Sequence, residues 1–333
     1  MSGPVLVTGG SGFVGGAVLA RLVARGREVR ALTRSVSSAG ALSRAGAQPV
    51  RGDMMDAASL ARAMEGVEVV YHLAGLNGFC LPHPSELTRL NVEGTRRVVS
   101  AAADAGVRLV VHTSSAATIG EPEGTVATEA TPHRGSFLSA YERSKYEAEK
   151  VAFATASARG MALVSVNPSS VQGPGRTRGT AKILIDALNG RLTTVVDSRM
   201  SLVDVGDCAE GHLLAEERGT PGERYILSGV TLTVTEALAL LGRITGTAPH
   251  PRTLPGPVAM AAASGVELLA RVRRRRPPVC REMVRTLLHG HAYDGGRATR
   301  ELGLVYTPLE ESLRRTVDWY VSEGLAPAAS APR

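Results

Sequence analysis

Lysine is nearly missing from this chain: three residues, at positions 145, 150 and 182, stand against 35 arginines in 333 residues. A lysine that survives such a bias is informative, because arginine stays charged at any accessible pH and cannot join a proton relay as a compact donor. Cysteine is scarce too. The three residues, 80, 208 and 280, are odd in number and widely spaced. A disulfide framework is therefore not expected, which suits a reducing cytoplasm. No nearly uncharged apolar stretch reaches the roughly 20 residues of a membrane span; the longest runs from Pro257 to Glu267 and on through Leu268-Leu269-Ala270. No charged, apolar leader precedes the first apolar segment, so secretion is not expected. Internal repeats are absent. His83 and Cys80 share the loop Asn77 to Pro84 but lack two further ligands at zinc spacing, so no metal is expected.

At 44% hydrophobic content the chain can bury a full core, as one large domain plus a smaller lobe. Its net charge is +7, densest over Arg271 to Arg276 before Pro277-Pro278. Such runs can bind nucleic acid or anionic membrane. Here the run closes an apolar helix, where cations favour the C-terminal dipole. It reads as a solvated helix end, with no nucleic-acid partner. A collar for an acidic substrate, or peripheral membrane contact through the 258–269 helix, is the alternative.

Thr8-Gly9-Gly10-Ser11-Gly12-Phe13-Val14-Gly15 carries more information. Glycines alone are a weak signal in a chain with 37 of them, but location sharpens it. Pro4 to Val7 reads as a buried parallel strand, Ala17 to Arg25 as a helix, and Glu28 to Thr33 as a second strand. The glycines thus occupy the first turn of a βαβ unit, where they permit a tight turn and close approach of backbone to a pyrophosphate. The helix N-terminus adds free N–H groups and a partial positive charge. After the second strand stand Thr33-Arg34-Ser35 and no carboxylate. Arg34 can grip a 2′-phosphate and Ser35 can add a hydroxyl, which favours NADP(H) over NAD(H).

In the middle of the chain, Tyr141-Glu142-Arg143-Ser144-Lys145 places a phenol and an ammonium one helical turn apart. Tyr146 and Lys150 repeat that spacing. Helical steps separate the two pairs: Tyr141, Lys145, Ala148 and Ala152 share a stripe with small residues, whereas Tyr146 lies about 140° away, among Arg143, Glu147 and Lys150. The second pair reads as a solvated face. A lysine about 4 Å from the phenol, at an effective dielectric of about 20, favours the phenolate by about 4 kcal/mol. Tyr141 is thus expected to have a lowered pKa and to move protons near pH 7.

With these residues the chain resembles the extended short-chain dehydrogenase/reductases of the NAD-dependent epimerase/dehydratase superfamily. Further matches are Gly52-Asp53-Met54-Met55-Asp56, Tyr71-His72-Leu73-Ala74-Gly75, Asn91-Val92-Glu93-Gly94-Thr95, Val111-His112-Thr113-Ser114-Ser115 and Asn167 to Gly175. Ser201 to Ala209 and Tyr225 to Gly229 match later landmarks. The resemblance implies an α/β fold, a doubly wound parallel (Rossmann) sheet with a smaller, discontinuous C-terminal substrate lobe. Residues 1–172 would form the cofactor domain, with returning segments near 203–228 and 296–306. Residues 173–202 and 229–295 would form the lobe, 307–325 a closing helix and 326–333 a disordered tail.

The resemblance also implies site roles. Ser115, Tyr141 and Lys145 would be catalytic, with Asn91 either extending the relay or capping a helix. Gly9, Ser11, Gly12, Phe13, Val14, Gly15, Arg34, Ser35, Asp53, Met54, Leu73, Ala74, Gly75, Thr113, Tyr141, Lys145, Pro168, Ser170 and Val171 would contact the cofactor. Within the family the chain looks closest to the dihydroflavonol-reductase and 3-beta-hydroxysteroid-dehydrogenase-like branch. That implies an NADP(H)-dependent ketoreductase or alcohol dehydrogenase acting on a fairly apolar small molecule, in the cytoplasm, as a monomer or homodimer. The alternative is a nucleotide-sugar epimerase with tightly bound NAD, against which Arg34 counts. A sugar dehydratase fits less well, because Ala116-Ala117 stands where an Asp-Glu pair belongs.

Overall fold

The computed structural model describes residues 3–247 and 249–327. Its first strand, β1 (Val5–Thr8), is buried at all four positions, as a strand covered on both faces requires. Alternation follows: α1 (Phe13–Ala24), β2 (Val29–Thr33), α2 (Val36–Arg44), β3 (Gln48–Arg51), α3 (Ala57–Met64), β4 (Val69–His72). The short α4 (Ser85–Leu87) passes through a π-helical turn, Thr88–Glu93, into α5 (Gly94–Asp104). Then come β5 (Leu109–Thr113), α6 (Ala140–Ala158) and β6 (Ala162–Pro168). The later elements are β7 (Ser170–Gln172), α7 (Ala181–Leu188), β8 (Thr194–Val195), β9 (Arg199–Asp204), α8 (Val205–Arg218), β10 (Arg224–Leu227) and β11 (Val230–Thr233). Last are α9 (Val234–Thr245), β12 (Arg252–Thr253), α10 (Gly256–Val272), α11 (Arg281–His289) and α12 (Leu309–Ser322).

Seven strands form one sheet in the order β10-β6-β5-β4-β1-β2-β3, every pair parallel. The chain runs outward from β1 in one direction through β2 and β3, then in the other through β4, β5 and β6. The crevice at that reversal, over the strands' C-terminal ends, is where such sheets bind ligands. One face is covered by α1 and α8 through Val18, Leu22, Ala209 and Leu213. The other is covered by α3, α5 and α6 through Leu60, Val98 and Ala152. A second core, with Ile185, Leu241, Val317 and Tyr320, unites α7, α9 and α12, and a third packs Ala259 and Ala263 against Val284. Fully burying each large aliphatic side chain contributes about 1.5–3 kcal/mol.

The expectation that the cysteines form no disulfide framework is corrected by one bond. Cys80 and Cys280 form a disulfide across 200 residues, and Cys208 alone is free, buried in the main core. Spacing in sequence could not reveal it, because the connection between α10 and α11 folds back over the loop that holds Cys80. Ala326, placed by the sequence in the tail, is buried, with its N–H on the carbonyl of Tyr320. The remaining tail positions, 328–333, lie outside the described residues. Arg271 and Arg273 to Arg276 are all exposed, and Arg276 donates to the carbonyl of Phe79. Among the described residues, no helix is long and apolar enough to cross a membrane.

Candidate active site

The glycine turn after β1 has the shape that its sequence demands. Gly9 has φ +76°, and a Cβ there would sit 2.7 Å from the backbone nitrogen of Ala74. A Cβ on Gly15 would collide with the carbonyl oxygen of Gly9. Helix α1 begins at Phe13 with no side-chain cap on its free N–H groups, and Ser11 and Gly12 are exposed beside it. An uncapped helix end behind a backbone cradle fits a phosphate. Arg34 and Ser35 follow β2. The Arg34 side chain is 71% exposed, and it pairs with Asp53 at 3.7 Å. Ser35 caps α2, and its hydroxyl meets that of Ser37 at 2.7 Å. Ser37 and Ser38, which the sequence reading passed over, line the hollow beside Gly10 to Gly12.

On the far side of the crevice, the N–H of Ala74 donates to Thr8 Oγ1, which also meets His72 Nδ1 at 2.8 Å. His72 is buried, bridges to Thr95, and is pushed down to about 3 by desolvation. Neutral and fully engaged, it is structural. Asp53 accepts from Met55 N–H, and Met54 packs against Gly94. Leu73 and Gly75 complete this wall; a Cβ on Gly75 would stand 3.1 Å from Asn91 Oδ1.

The catalytic candidates meet at the end of β5. Ser139 caps α6, accepting from Glu142 N–H, and this start fixes Tyr141 and Lys145 on the inner stripe with buried Ala148 and Ala152. Ser115 stands by the Tyr141 phenol, its Oγ accepting from Ala117 N–H, and Lys145 Nζ donates to the carbonyl of Thr113 at 2.7 Å. The expected lowering of the Tyr141 pKa does not hold here. Burial pushes the phenol up, opposed by the neighbouring Ser115 and by the charge of Arg176; Lys145 is turned to Thr113 instead. Burial also pushes Lys145 down, to about 8.

Two further predicted residues have their polar groups occupied. Thr113 Oγ1 pairs with His212 Nε2 at 2.8 Å. Asn91 lies within the π-helical turn, where it caps no helix; its amide grips both backbone groups of Leu76 and donates to Ser144. Asn167 is buried behind the site, donating to the carbonyl of Ser115, Thr118 Oγ1 and Glu149. It positions Ser115 from below. Pro168 ends β6, Ser170 bonds Thr180 and Gln172, and the Val171 carbonyl accepts from Arg176.

Arg176 is a site residue that the sequence reading missed. Its guanidinium lies 5.8 Å over the Phe13 ring, linking the glycine turn to the neighbourhood of Tyr141. Its only sequence signal was its place in the loop after Gly173-Pro174-Gly175. Phe79 stands edge-on to Tyr141, ring centres 6.4 Å apart, which brings the 77–84 loop against the phenol. The loop is pinned by the disulfide and by Glu282, whose carboxylate accepts from both Cys80 and Ala140 N–H. Tyr146 packs on His133 and Phe137, away from the crevice, half-buried instead of solvated.

Comparison with known proteins places this geometry. The model of the NAD dependent epimerase/dehydratase family matches residues 5–228. A Synechocystis protein provisionally named dihydroflavonol 4-reductase is 34% identical over 327 residues, covering 96% of this chain and 94% of its own. The sterol demethylase protein B of Methylococcus capsulatus is 34% identical over 329 residues, covering 96% and 99%. Among solved structures, gox2253 superposes with TM-score 0.85 at 32% identity, covering 97% of this chain and 99% of that one. With its seven-stranded parallel sheet and its glycine cradle at the sheet's reversal, the chain belongs to the NAD dependent epimerase/dehydratase family, as an enzyme of the extended short-chain dehydrogenase/reductase type acting on CH–OH and C=O groups.

Proposed function

We propose that this enzyme is an NADP(H)-dependent ketoreductase or alcohol dehydrogenase acting on a fairly apolar, extended or multi-ring substrate. The observation that carries the reading is the grouping of Ser115 with the Tyr141 phenol beside Lys145, which is anchored to the Thr113 carbonyl. The names of the relatives, a dihydroflavonol reductase and a sterol-processing protein, support a polycyclic substrate. Exposed Arg34, with the serines of α2 beside it, supports the 2′-phosphate of NADP.

When bound, the nicotinamide supplies or accepts a hydride at the substrate carbon. Ser115 holds the substrate oxygen by a hydrogen bond, and Tyr141 passes a proton to that oxygen during reduction. A phenol whose pKa is raised by burial is protonated at neutral pH, the state a proton donor needs. The phenolate left behind faces the positive charge of Arg176, which favours it. Phe79 and the pinned roof exclude water from the reacting atoms. A cytoplasmic location belongs to this reading, with the Cys80–Cys280 bond as the feature against it.

The test is consumption of NADPH, with NADH in parallel, against a panel of polycyclic ketones and nucleotide sugars. Net oxidation of NADPH on a ketone, lost in Tyr141→Phe, is the expected result. Tightly bound NAD with interconversion of a nucleotide sugar would replace this reading with the epimerase.

A further inference from the structure

Glu121, His289 and His291 converge, although 170 residues separate the first from the last. Glu121 is 1% exposed at its side chain; its Oε1 lies 2.6 Å from His291 Nδ1 and 3.8 Å from His289 Nε2. Two polar atoms of this group, Glu121 Oε2 and His289 Nε2, are buried with no hydrogen-bond partner. Each such orphan costs about 1–3 kcal/mol. Hydrogen bonding inside the cluster satisfies His291 and leaves the other two wanting. A cation between the three side chains would satisfy both.

The backbone fixes the donors from two sides. Glu121 follows Gly120, whose φ of +63° ends a short 3-10 turn. His289 is the last residue of α11. The N–H of His291 donates to the Arg199 carbonyl, and that of Tyr293 donates to Ser201 Oγ. Around the cluster, Arg134 donates to the Glu121 carbonyl and pairs with Glu142. Arg134 is thus paired with the Glu142 carboxylate, and it touches Glu121 only at the backbone carbonyl.

We propose that Glu121, His289 and His291 bind one divalent transition-metal ion of the zinc class, with water or the Tyr293 hydroxyl in a fourth position. Their donor atoms all lie within 4.8 Å of one another. A tetrahedral ion with bonds of about 2.0–2.1 Å needs ligand atoms about 3.4 Å apart, within reach of small side-chain rotations. Two imidazoles and one carboxylate suit zinc, cobalt or nickel and not magnesium or calcium, which prefer all-oxygen sets. The Tyr293 hydroxyl already sits 3.0 Å from His291 Nδ1. His291 is 20% exposed at its side chain, which leaves a path of entry. The ion would tie the C-terminal end of α11 to the segment after β5, a structural clamp between the lobe and the main sheet.

The full-length chain, stripped with chelator, would be titrated with cobalt(II) and then zinc(II). The expected result is one equivalent of cobalt with the intense visible bands of a four-coordinate site, displaced by zinc, and a Tm that rises with zinc. Glu121→Gln and His289→Asn should each weaken binding at least about 100-fold, more than the loss of an outer partner does. His83→Asn, outside the cluster, should leave it unchanged. No saturable equivalent, a six-coordinate spectrum, or binding that survives in both variants overturns the proposal. Should the variants fail to fold, stoichiometry and spectrum of the wild type decide alone.

Discussion

Lys145 donates from Nζ to the carbonyl oxygen of Thr113 at 2.7 Å, so the ammonium is anchored to the end of β5 and not aimed at the Tyr141 hydroxyl. Burial holds its pKa near 8. The ammonium is therefore lost as pH rises through about 8, while Tyr141, raised by burial, stays protonated. In the free enzyme, kcat/KM for reduction should fall above about pH 8. Lys145→Arg should remove that limb, because a guanidinium does not titrate there, at the cost of a lower plateau. A profile unchanged by the substitution would show that another group sets it.

Tyr141→Phe removes the proposed proton donor and keeps the ring against Phe79. The expected loss in kcat is about 10²–10⁴-fold, the usual share of general acid catalysis, with the dissociation constant for NADPH little changed. Rapid-mixing kinetics and fluorescence titration would separate the two. Tyr146→Phe, packed on His133 outside the crevice, should leave both within about twofold.

Among the described residues Arg34 forms one ion pair, a long one with Asp53, and its exposed side chain can turn to a ligand. Arg34→Ala should raise KM for NADPH by about 10–100-fold, the value of one or two charge-assisted hydrogen bonds, and leave KM for NADH nearly unchanged. Equal effects on both cofactors would dissociate Arg34 from the 2′-phosphate.

The Cys80–Cys280 bond closes a 200-residue span and holds the loop whose Phe79 covers Tyr141. Cys280→Ser should lower stability by about 2–4 kcal/mol, read by denaturant unfolding, and raise KM for the ketone more than it lowers kcat. Dithiothreitol on the wild type should reproduce the effect. An unchanged KM would show that Glu282 suffices to hold the roof.

Three buried imidazoles make the fold sensitive to acid. Desolvation pushes His72 down to about 3, His212 to about 4, and His112 well below its ordinary value. Each folded-state pKa lies below the unfolded value of about 6.5, so the unfolded chain binds more protons once the pH drops below that. Stability present above pH 6.5 should decline toward pH 4, by up to about 1.4 kcal/mol per pH unit for each ring. Both ring nitrogens of His112 lack partners, so His112→Phe loses no hydrogen bond. That variant should shed one ring's share of the slope between pH 6.5 and 5; an unaltered slope would assign the acid sensitivity to the carboxylates.

Much of this enzyme is local chemistry and was legible in the sequence. The Gly9–Gly15 turn, the strand alternation and the inner stripe of Tyr141, Lys145 and Ala148 follow from chain periodicity and from what a glycine alone permits. The stripe also separates Tyr141 from Tyr146 without any tertiary information. The resemblance then named the fold class and the reaction type. The misreadings share one cause. Cys80 and Cys280, Glu121 and His291, and Arg176 over Phe13 are pairs whose partners depend on how the lobe closes on the sheet.

The direction of the Tyr141 shift belongs to the same group. Spacing placed Lys145 one turn away, but the pKa answers to desolvation and to where Nζ finds its acceptor, both set by packing. The sequence by itself determined the glycine turn, the parallel sheet and the helix that presents Tyr141 and Lys145, because helical and strand periods act over a few residues. Only the tertiary structure decided the disulfide, the roof over the phenol and the Glu121–His289–His291 cluster, because contacts across 170 to 200 residues leave no local period to read.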